Sequence, residues 1–220
     1  YQFKYAEKNK KNTYIIKPSR SLPFWLNCIK KEAKNEILQK PYWYKNNKKY
    51  LVYVVGTLDS DISSIDQKHS GESLLKETLD IILKHSNYHI LLKPHFITDI
   101  SRLETIINTR DKNRCSIVYN HIAVLSRICD IVLGNYFSQT MPDAWINGAK
   151  VIEYTKYDDE VLKYCNNTSV SKNFVDVFIN YKPKILIEEL VKRSLRKDRN
   201  IFNNPYYQTE DLIKKLSFRK

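Results

Sequence analysis

The part of the chain that most constrains the fold lies between residues 129 and 154. Two short apolar runs, residues 130–133 and 151–154, flank a polar loop and a segment that ends at Asn147-Gly148. Asn-Gly is a typical signal for the end of a helix. The sequence here therefore predicts a strand, a polar loop, a short helix and a second strand. Because a loop at the carboxyl end of a strand is where an open α/β sheet binds ligands, we expect the functional site in this loop.

The same alternation covers the preceding residues. Apolar runs typical of buried strands lie at residues 50–55, 88–92, 116–119, 130–133 and 151–154. Amphipathic helical patterns separate the first four of them, at residues 72–85, 99–108 and 121–127. Strands that alternate with helices form right-handed βαβ units. The sequence thus predicts an α/β fold, with a Rossmann-like parallel sheet of about five strands and helices on both faces.

Three regions are predicted along the chain. Residues 1–49 are expected to be a linker or the remnant of a preceding domain, partly helical, with a helix at 24–38 and a short strand at 12–16. Residues 50–165 form the predicted Rossmann-like nucleotide-binding domain, and residues 166–220 supply closing helices. The closing helices are expected at residues 158–164, 174–179, 185–196 and 208–216. Because the first residue is Tyr1 and not Met, we expect a fragment of a longer protein.

The net charge of +13, from 37 Lys and Arg against 24 Asp and Glu, raises the question of an anionic partner. Nucleic acid, a lipid head group or an anionic substrate would each use this charge. The abundance of Lys, Asn, Ile and Tyr is also typical of an AT-rich genome. The basic residues are dispersed, with the densest clusters at residues 8–11, 45–49 and 192–197. We therefore expect nucleic acid to be the less favoured partner, and peripheral association with a membrane to remain an alternative.

Motif counts exclude several classes of protein. The four glycines are too sparse for a dinucleotide fingerprint or a Walker loop, which argues against NAD enzymes and P-loop ATPases. The four cysteines show neither a CxxC pair nor zinc-type spacing, so we expect a reduced, cytoplasmic protein. The sequence contains no run of about 18 apolar residues, so it predicts no membrane span. The sequence predicts neither a metal site nor a bound cofactor.

Two polar segments carry the predicted chemistry. Lys93-Pro94-His95 follows a strand, so His95 is expected to project from the carboxyl edge of the sheet as a phosphate donor or general acid, beside the cation Lys93. Ser138, Gln139 and Thr140 stand at a predicted helix start, where hydroxyl groups and free backbone N–H groups bind phosphate. Ser138 would also serve as an ordinary helix cap, and the two roles are compatible.

Further candidates lie at the same predicted edge. Asp143 and Glu153 could accept hydrogen bonds from ribose or sugar hydroxyls, although Asp143 would also suit a helix N-terminus and Glu153 a solvent-exposed strand end. Gly56 and Thr57 close the first strand at the same edge and are expected to approach the phosphate of a bound nucleotide. Two residues are weaker candidates for the lining of the crevice, Asp59 and His121.

Three segments together resemble the nucleotide-binding half of GT-B glycosyltransferases that build bacterial surface polysaccharides. They are residues 88–95 (YHILLKPH), 121–134 (HIAVLSRICDIVLG) and 136–154 (YFSQTMPDAWINGAKVIEY). Capsule and teichoic-acid transferases and bacterial sialyltransferases have a similar Lys-x-His-Pro loop, a Ser/Thr-rich loop, and then a small residue before a Val-Ile strand. The sequence departs from this pattern at Phe96, where the family has Pro, and at residues 138–140, where the family has a Ser-Ser or Ser-Thr pair.

The resemblance implies roles for particular residues. His95 would contact the donor's phosphate and protonate the departing nucleotide, Ser138, Gln139 and Thr140 would cradle phosphate, and Glu153 would lie near the ribose or sugar. A GT-B enzyme has two Rossmann-like halves, so an N-terminal domain or a partner chain would complete the site.

The resulting hypothesis is a metal-independent glycosyltransferase at the inner face of the membrane, since Asp59-Ser60-Asp61 lies in a poor context for an Asp-x-Asp metal motif. It would take a nucleotide-sugar donor and a glycan or lipid-linked acceptor. Two alternatives remain open. One is a transferase of polyol phosphate from a donor such as CDP-glycerol. The other is a non-catalytic basic module that binds nucleic acid or a membrane surface.

Overall fold

The structure, a computed structural model, describes residues 19–59, 70–136, 138 and 140–192. Within these ranges six strands form one sheet, with the order β3-β2-β1-β4-β5-β6, and every neighbouring pair is parallel. The strands are β1 (Tyr50–Val55), β2 (His89–Pro94), β3 (Cys115–Ile117), β4 (Ile131–Gly134), β5 (Lys150–Thr155) and β6 (Val177–Asn180). Helices cover both faces, so the predicted Rossmann-like α/β fold is confirmed.

Seven α-helices lie in the described part of the chain. They are α1 (Pro23–Leu38), α2 (Gly71–His85), α3 (Ile100–Asn108), α4 (Ile122–Ile128), α5 (Thr140–Ile146), α6 (Asp159–Tyr164) and α7 (Pro183–Val191). None of these helices is long and apolar enough to cross a bilayer. Several begin at a side chain that accepts a hydrogen bond from the first turn, which satisfies an otherwise unpaired N–H group; the caps include Ser70, Asp99, His121 and Asp158.

The sheet is buried on both faces, as the continuous apolar character of its strands requires. One face packs against α2, α3 and α7 through a core that includes Leu51, Tyr53 and Ile90. The other face packs against α4 and α5 through Val52, Leu91 and Val132, among others. Successive residues of β1 thus belong alternately to the two cores, because side chains alternate along a strand.

The segment before β1 packs on this domain. The predicted helix at residues 24–38 is confirmed as α1, which contacts α4 through Ile29 and Ala33. Trp43 follows α1, has no exposed surface and stacks edge-on against Tyr50 within the second core. The chain between α1 and β1 is therefore part of the core structure.

Two expectations from the sequence were wrong. Residues 174–179 form a short 3-10 turn and the edge strand β6, and not a helix, because the Val-rich run pairs with β5. Lys93 and Pro94 belong to β2, and not to a loop, because they pair with Val54 and Val55 of β1. The predicted strand at residues 12–16 and the predicted helix at 208–216 lie outside the described residues. The division into three regions stays a prediction.

We expect Trp43→Ala to lower the free energy of unfolding by about 3–5 kcal/mol, because it leaves a cavity where a large buried side chain was. Phe24→Ala is the control, since Phe24 lies on α1 but is 77% exposed, and its loss should change stability by less than about 0.5 kcal/mol. Urea unfolding followed by far-UV circular dichroism measures both. Equal, small effects would contradict the assignment of Trp43 to the core.

Candidate functional site

The strand order creates a crevice between β1 and β4. The chain passes from β1 through α2 to β2 on one side, while β4 lies on the other side of β1. Loops that leave neighbouring strands in opposite directions open a space at the carboxyl ends of those strands, which is where open α/β sheets bind ligands. The two strand ends are Gly56 and Gly134. Most residues predicted to bind a donor nucleotide lie in or beside the loops at this edge.

Strand register aligns two of the predicted residues in one row across the sheet. Lys93 pairs with Val54, Val54 with Gly134, and Gly134 with Glu153. Paired residues of parallel strands point to the same face, so Lys93 and Glu153 share the face that α4 and α5 cover. Three strand spacings separate them, which is roughly 14 Å.

Lys93 is a half-buried cation near the carboxyl end of β2. Burial lowers the pKa of its ammonium group. Among the described residues it has no carboxylate partner, and its positive charge contributes to lowering the pKa of nearby His121. A partly desolvated ammonium without a counter-ion gains free energy when an anion binds beside it.

His95 follows β2 directly and its side chain is exposed. Its backbone N–H donates to the carbonyl oxygen of Val55 (2.9 Å) and to the hydroxyl oxygen of Thr98 (2.9 Å), and that hydroxyl donates to the carbonyl oxygen of Gly56 (2.9 Å). The β2 loop is thereby tied to the end of β1, which positions the imidazole beside the crevice. The ring packs against Phe96, with centroids 4.3 Å apart.

Tyr136 covers the end of β1. Its hydroxyl donates to the carbonyl oxygen of Thr57 at 2.9 Å, and its ring lies so close to Gly56 that an added Cβ would be 2.2 Å from Cε2. Burial raises the pKa of Tyr136 to about 12, so the hydroxyl is protonated at neutral pH. Gly56 and Thr57, predicted to approach phosphate, therefore lie beneath or against an aromatic ring. Tyr136 was not among the predicted site residues, because the sequence carries no signal for the contact between its ring and Gly56.

A buried polar network anchors the loop that follows β4. The hydroxyl of Tyr53 donates to Oδ1 of Asn135, and the Asn135 amide donates to Thr78 (3.1 Å) and to the carbonyl oxygen of Tyr154 (2.8 Å). All polar atoms of the Asn135 side chain thus have partners in the core. The loop leaves the sheet at a defined point because of this network.

Ser138 and Thr140 lie together at the start of α5. Their hydroxyl oxygens are 2.8 Å apart, and the backbone N–H of Thr140 donates to the Ser138 hydroxyl oxygen at 3.3 Å. The Ser138 hydroxyl thus accepts a hydrogen bond from the first residue of α5, and its role as the helix cap stays a prediction. Gln139 lies outside the described residues. The binding roles of this group stay predictions.

Asp143 is buried in α5 and pairs with Arg20, whose Nη1 donates to Oδ2 at 2.5 Å. His121 caps α4, and its Nδ1 accepts from the N–H of Ala123 at 3.2 Å. Burial lowers the pKa of His121, Asp143 raises it, and the cations Arg20 and Lys93 lower it further. The structure therefore brings His121 and Asp143 together with Arg20, which the sequence did not single out because it is 123 residues from Asp143.

Glu153 is completely buried, and not a solvent-exposed strand end. Its carboxylate accepts from the hydroxyls of Tyr157 (2.6 Å) and Ser169 (2.5 Å). Burial raises the pKa of Glu153, and these two hydrogen bonds oppose the rise. The carboxylate therefore holds residues after β5 against the sheet, and the predicted contact with ribose stays a prediction.

Asp59 belongs to an ion-pair network and not to the row of Lys93. Its carboxylate accepts from Nη1 of Arg102 (2.8 Å) and from the hydroxyl of Thr57 (3.2 Å), and Arg102 also pairs with Glu72 (2.5 Å). Among the residues that the structure describes, no group of three or more His, Cys, Asp or Glu side chains could hold a metal ion.

Comparison with known proteins adds little. No protein-family model matches the chain, and no curated protein matches it. Among solved structures, the wall teichoic acid polymerase TagF matches with 19% sequence identity and a TM-score of 0.45. The match covers 73% of this chain, which spans 38% of the length of that structure. Similarity at this level assigns neither a family nor an activity.

Gly56→Ala is expected to lower the free energy of unfolding by about 1–3 kcal/mol, because the new methyl group overlaps the ring of Tyr136. Tyr136→Ala removes the ring, so Gly56→Ala introduced into that variant should cost less than about 0.5 kcal/mol. A double-mutant cycle by urea unfolding measures the coupling. Additive effects would show that the two residues do not contact each other.

We expect Glu153→Gln to change how stability depends on pH. The folded-state pKa of Glu153 is raised above 4.5, so the folded protein holds this proton more tightly than the unfolded chain. Glu153 therefore makes stability fall as pH rises from about 4.5 through its folded pKa, and the Gln variant lacks this fall. Over that pH interval, the free energy of unfolding of the variant should rise relative to that of the wild type. Glu160→Gln, at an exposed position, controls for the loss of one charge; a constant gap for Glu153→Gln would refute the linkage.

Proposed function

We propose that the chain is the donor-nucleotide-binding part of a glycosyltransferase, which moves a sugar from a nucleotide-activated donor to a bacterial cell-surface glycan without a metal ion. The observation that carries the proposal is Lys93, a partly desolvated cation without a carboxylate partner among the described residues, near the carboxyl edge where a Rossmann-like sheet binds nucleotides. The resemblance of residues 88–95, 121–134 and 136–154 to GT-B transferases supports it.

The donor's phosphates would lie over the ends of β2 and β4. Lys93 would supply positive charge, while His95 and the hydroxyls of Ser138 and Thr140 would supply hydrogen-bond donors. As the bond between sugar and phosphate breaks, negative charge grows on the departing nucleotide. Donors already positioned around that charge lower the barrier, and His95 would donate a proton or a hydrogen bond to the leaving phosphate.

Absence of a metal from this mechanism is supported by the surroundings of Asp59. Its carboxylate is engaged by Arg102, and so it offers no free oxygen pair for a cation. Positive charge at the donor's phosphates would instead come from Lys93, since Arg20 pairs with Asp143 and the lowered pKa of His121 favours its neutral form. The base that activates the acceptor would come from a second domain or chain.

Isothermal titration calorimetry with CMP, CDP, UDP and GDP tests the proposal. We expect one of these nucleotides to bind. The same nucleotide should raise the midpoint of thermal unfolding, because a ligand that binds only the folded state stabilises that state. Lys93→Gln and His95→Ala should each weaken binding by about 1–3 kcal/mol through the loss of a charge-assisted hydrogen bond. A preference for CDP would leave the transfer of polyol phosphate as the reaction to assay.

Lys34→Gln is the matched control for Lys93→Gln, because it removes the same charge from an exposed position on α1. It should leave nucleotide affinity unchanged. Binding that survives both Lys93→Gln and His95→Ala, or no binding of any nucleotide, would contradict the proposal.

A further inference from the structure

The fold brings together two basic clusters that are far apart in the sequence. Residues 45–49 lead into β1, and Lys192 follows α7, yet the described members of both clusters line clefts at the amino edge of the sheet. One cleft of about 290 Å³ is lined by Lys45, Lys48, Asn87, Tyr88, His89, Asn113 and Arg114. A second, of about 200 Å³, is lined by Lys49, His85, Ser86, Asn87, Tyr88, Leu190, Val191 and Lys192. The two share Asn87 and Tyr88 and so form a double cleft.

The lining of the double cleft contains no Asp or Glu. Lys192 pairs with Glu189 outside the lining, at 2.5 Å. Asp111 and Asp130 also lie near this edge, where they act on the pKa values of His89 and Tyr88. Within the described ranges, the side chains of the three lysines at positions 45, 48 and 49 form no ion pair. The cleft therefore carries an excess of positive charge.

Arg114, which lines the first of these clefts, is held in place by hydrogen bonds. Its guanidinium donates to the carbonyl oxygens of Leu83 (2.7 Å), Ser86 (2.6 Å) and Tyr88 (3.1 Å). These contacts fix the orientation of the group without neutralising its charge, because carbonyl oxygens are not ionised. No carboxylate pairs with Arg114 among the described residues.

The pKa of His89 depends on the cations that line the cleft. It is 3% exposed, and its Nε2 lies 2.9 Å from the hydroxyl oxygen of Ser116. The pKa of His89 is lowered to about 4, first by burial and then by Lys45, Lys48 and Arg114, with Asp111 acting in the opposite direction. Three cations thus act together on one point of the lining.

We propose that this double cleft binds a phosphate-bearing small molecule, at a site separate from the nucleotide crevice on the opposite edge of the sheet. Lysine ammonium groups and side-chain amides donate hydrogen bonds to phosphate oxygens. The combined volume is in the range of small-ligand sites. Single-stranded nucleic acid would need exposed aromatic rings on which bases stack, and Tyr88, the aromatic residue of the lining, is buried.

Titration of the full chain with inorganic pyrophosphate tests the proposal, at about 50 mM and about 300 mM salt. We expect binding that weakens at the higher salt concentration, and that falls roughly tenfold or more in Lys45→Gln/Lys48→Gln. The matched control is Lys30→Gln/Lys31→Gln, which removes the same charge from exposed positions on α1 and should retain binding. Equal losses in both variants would overturn the proposal, because they would show only a response to net charge.

The imidazole resonances of His89 distinguish this cleft from the crevice. Bound pyrophosphate should raise the pKa of His89 above about 4, because an anion favours the imidazolium form. The pKa of His89 should rise in the same way in the Lys93→Gln variant. This result would not depend on whether the proposed nucleotide site exists. A pKa that does not move on addition of pyrophosphate would overturn the proposal.

Two further probes separate phosphate-bearing small molecules from macromolecular surfaces. Single-stranded RNA and vesicles that contain phosphatidylglycerol are added to wild type and to Lys45→Gln/Lys48→Gln. Tighter binding of either one than of pyrophosphate, lost in the double variant, would overturn the proposal in favour of a nucleic-acid or membrane surface. Weaker binding of both supports a small-molecule site.

Discussion

Burial of β1 on both faces is the constraint from which the rest of the structure follows. Leu51, Val52 and Tyr53 have no exposed surface. A strand buried in this way must satisfy its backbone N–H and C=O groups within the protein, so it needs a strand on each side. β2 and β4 take these places. Because the chain reaches β2 and β4 through helices on opposite faces of the sheet, the crevice at the carboxyl end of β1 is a consequence of burying that strand.

The core also extends a polar network towards this crevice. Tyr53 lies in β1, but its hydroxyl donates to Asn135, the first residue after β4. A buried hydroxyl and a buried amide each need a partner, and they satisfy one another together with Thr78. The packing of the sheet thereby determines where the loop with Ser138 begins. The ring of Tyr136, the next residue, packs against Gly56 at the end of β1. Ser138 and Thr140 follow it in the chain, at the start of α5.

The sequence was informative about features that depend on local periodicity. The strands β1 to β5 and the helices α1 to α4 were predicted within a few residues, because continuous apolar runs and helical periodicity are visible in short windows. The edge strand β6 was not, since its apolar run suits a strand and a helix equally and only pairing with β5 decides between them. The contacts of Arg20 with Asp143 and of Tyr136 with Gly56 join distant positions, and periodicity carries no information about them. The burial of Glu153 depends likewise on Ser169, sixteen residues further along the chain.

Part of the positive charge at the amino edge has a structural explanation. In a parallel α/β sheet the carboxyl ends of the helices point to this edge, and their unpaired carbonyl groups attract cations. Arg114 and His85 fit that explanation, because Arg114 donates to carbonyl oxygens at the end of α2 and His85 is the last residue of that helix. Lys45 and Lys48 do not, since they precede β1 and, within the described residues, their side chains form no hydrogen bond with a helix end. Helix dipoles therefore account for the arginine and leave the two lysines unexplained. These lysines face a concave lining from which carboxylates are absent, and this combination distinguishes the cleft from an ordinary basic surface.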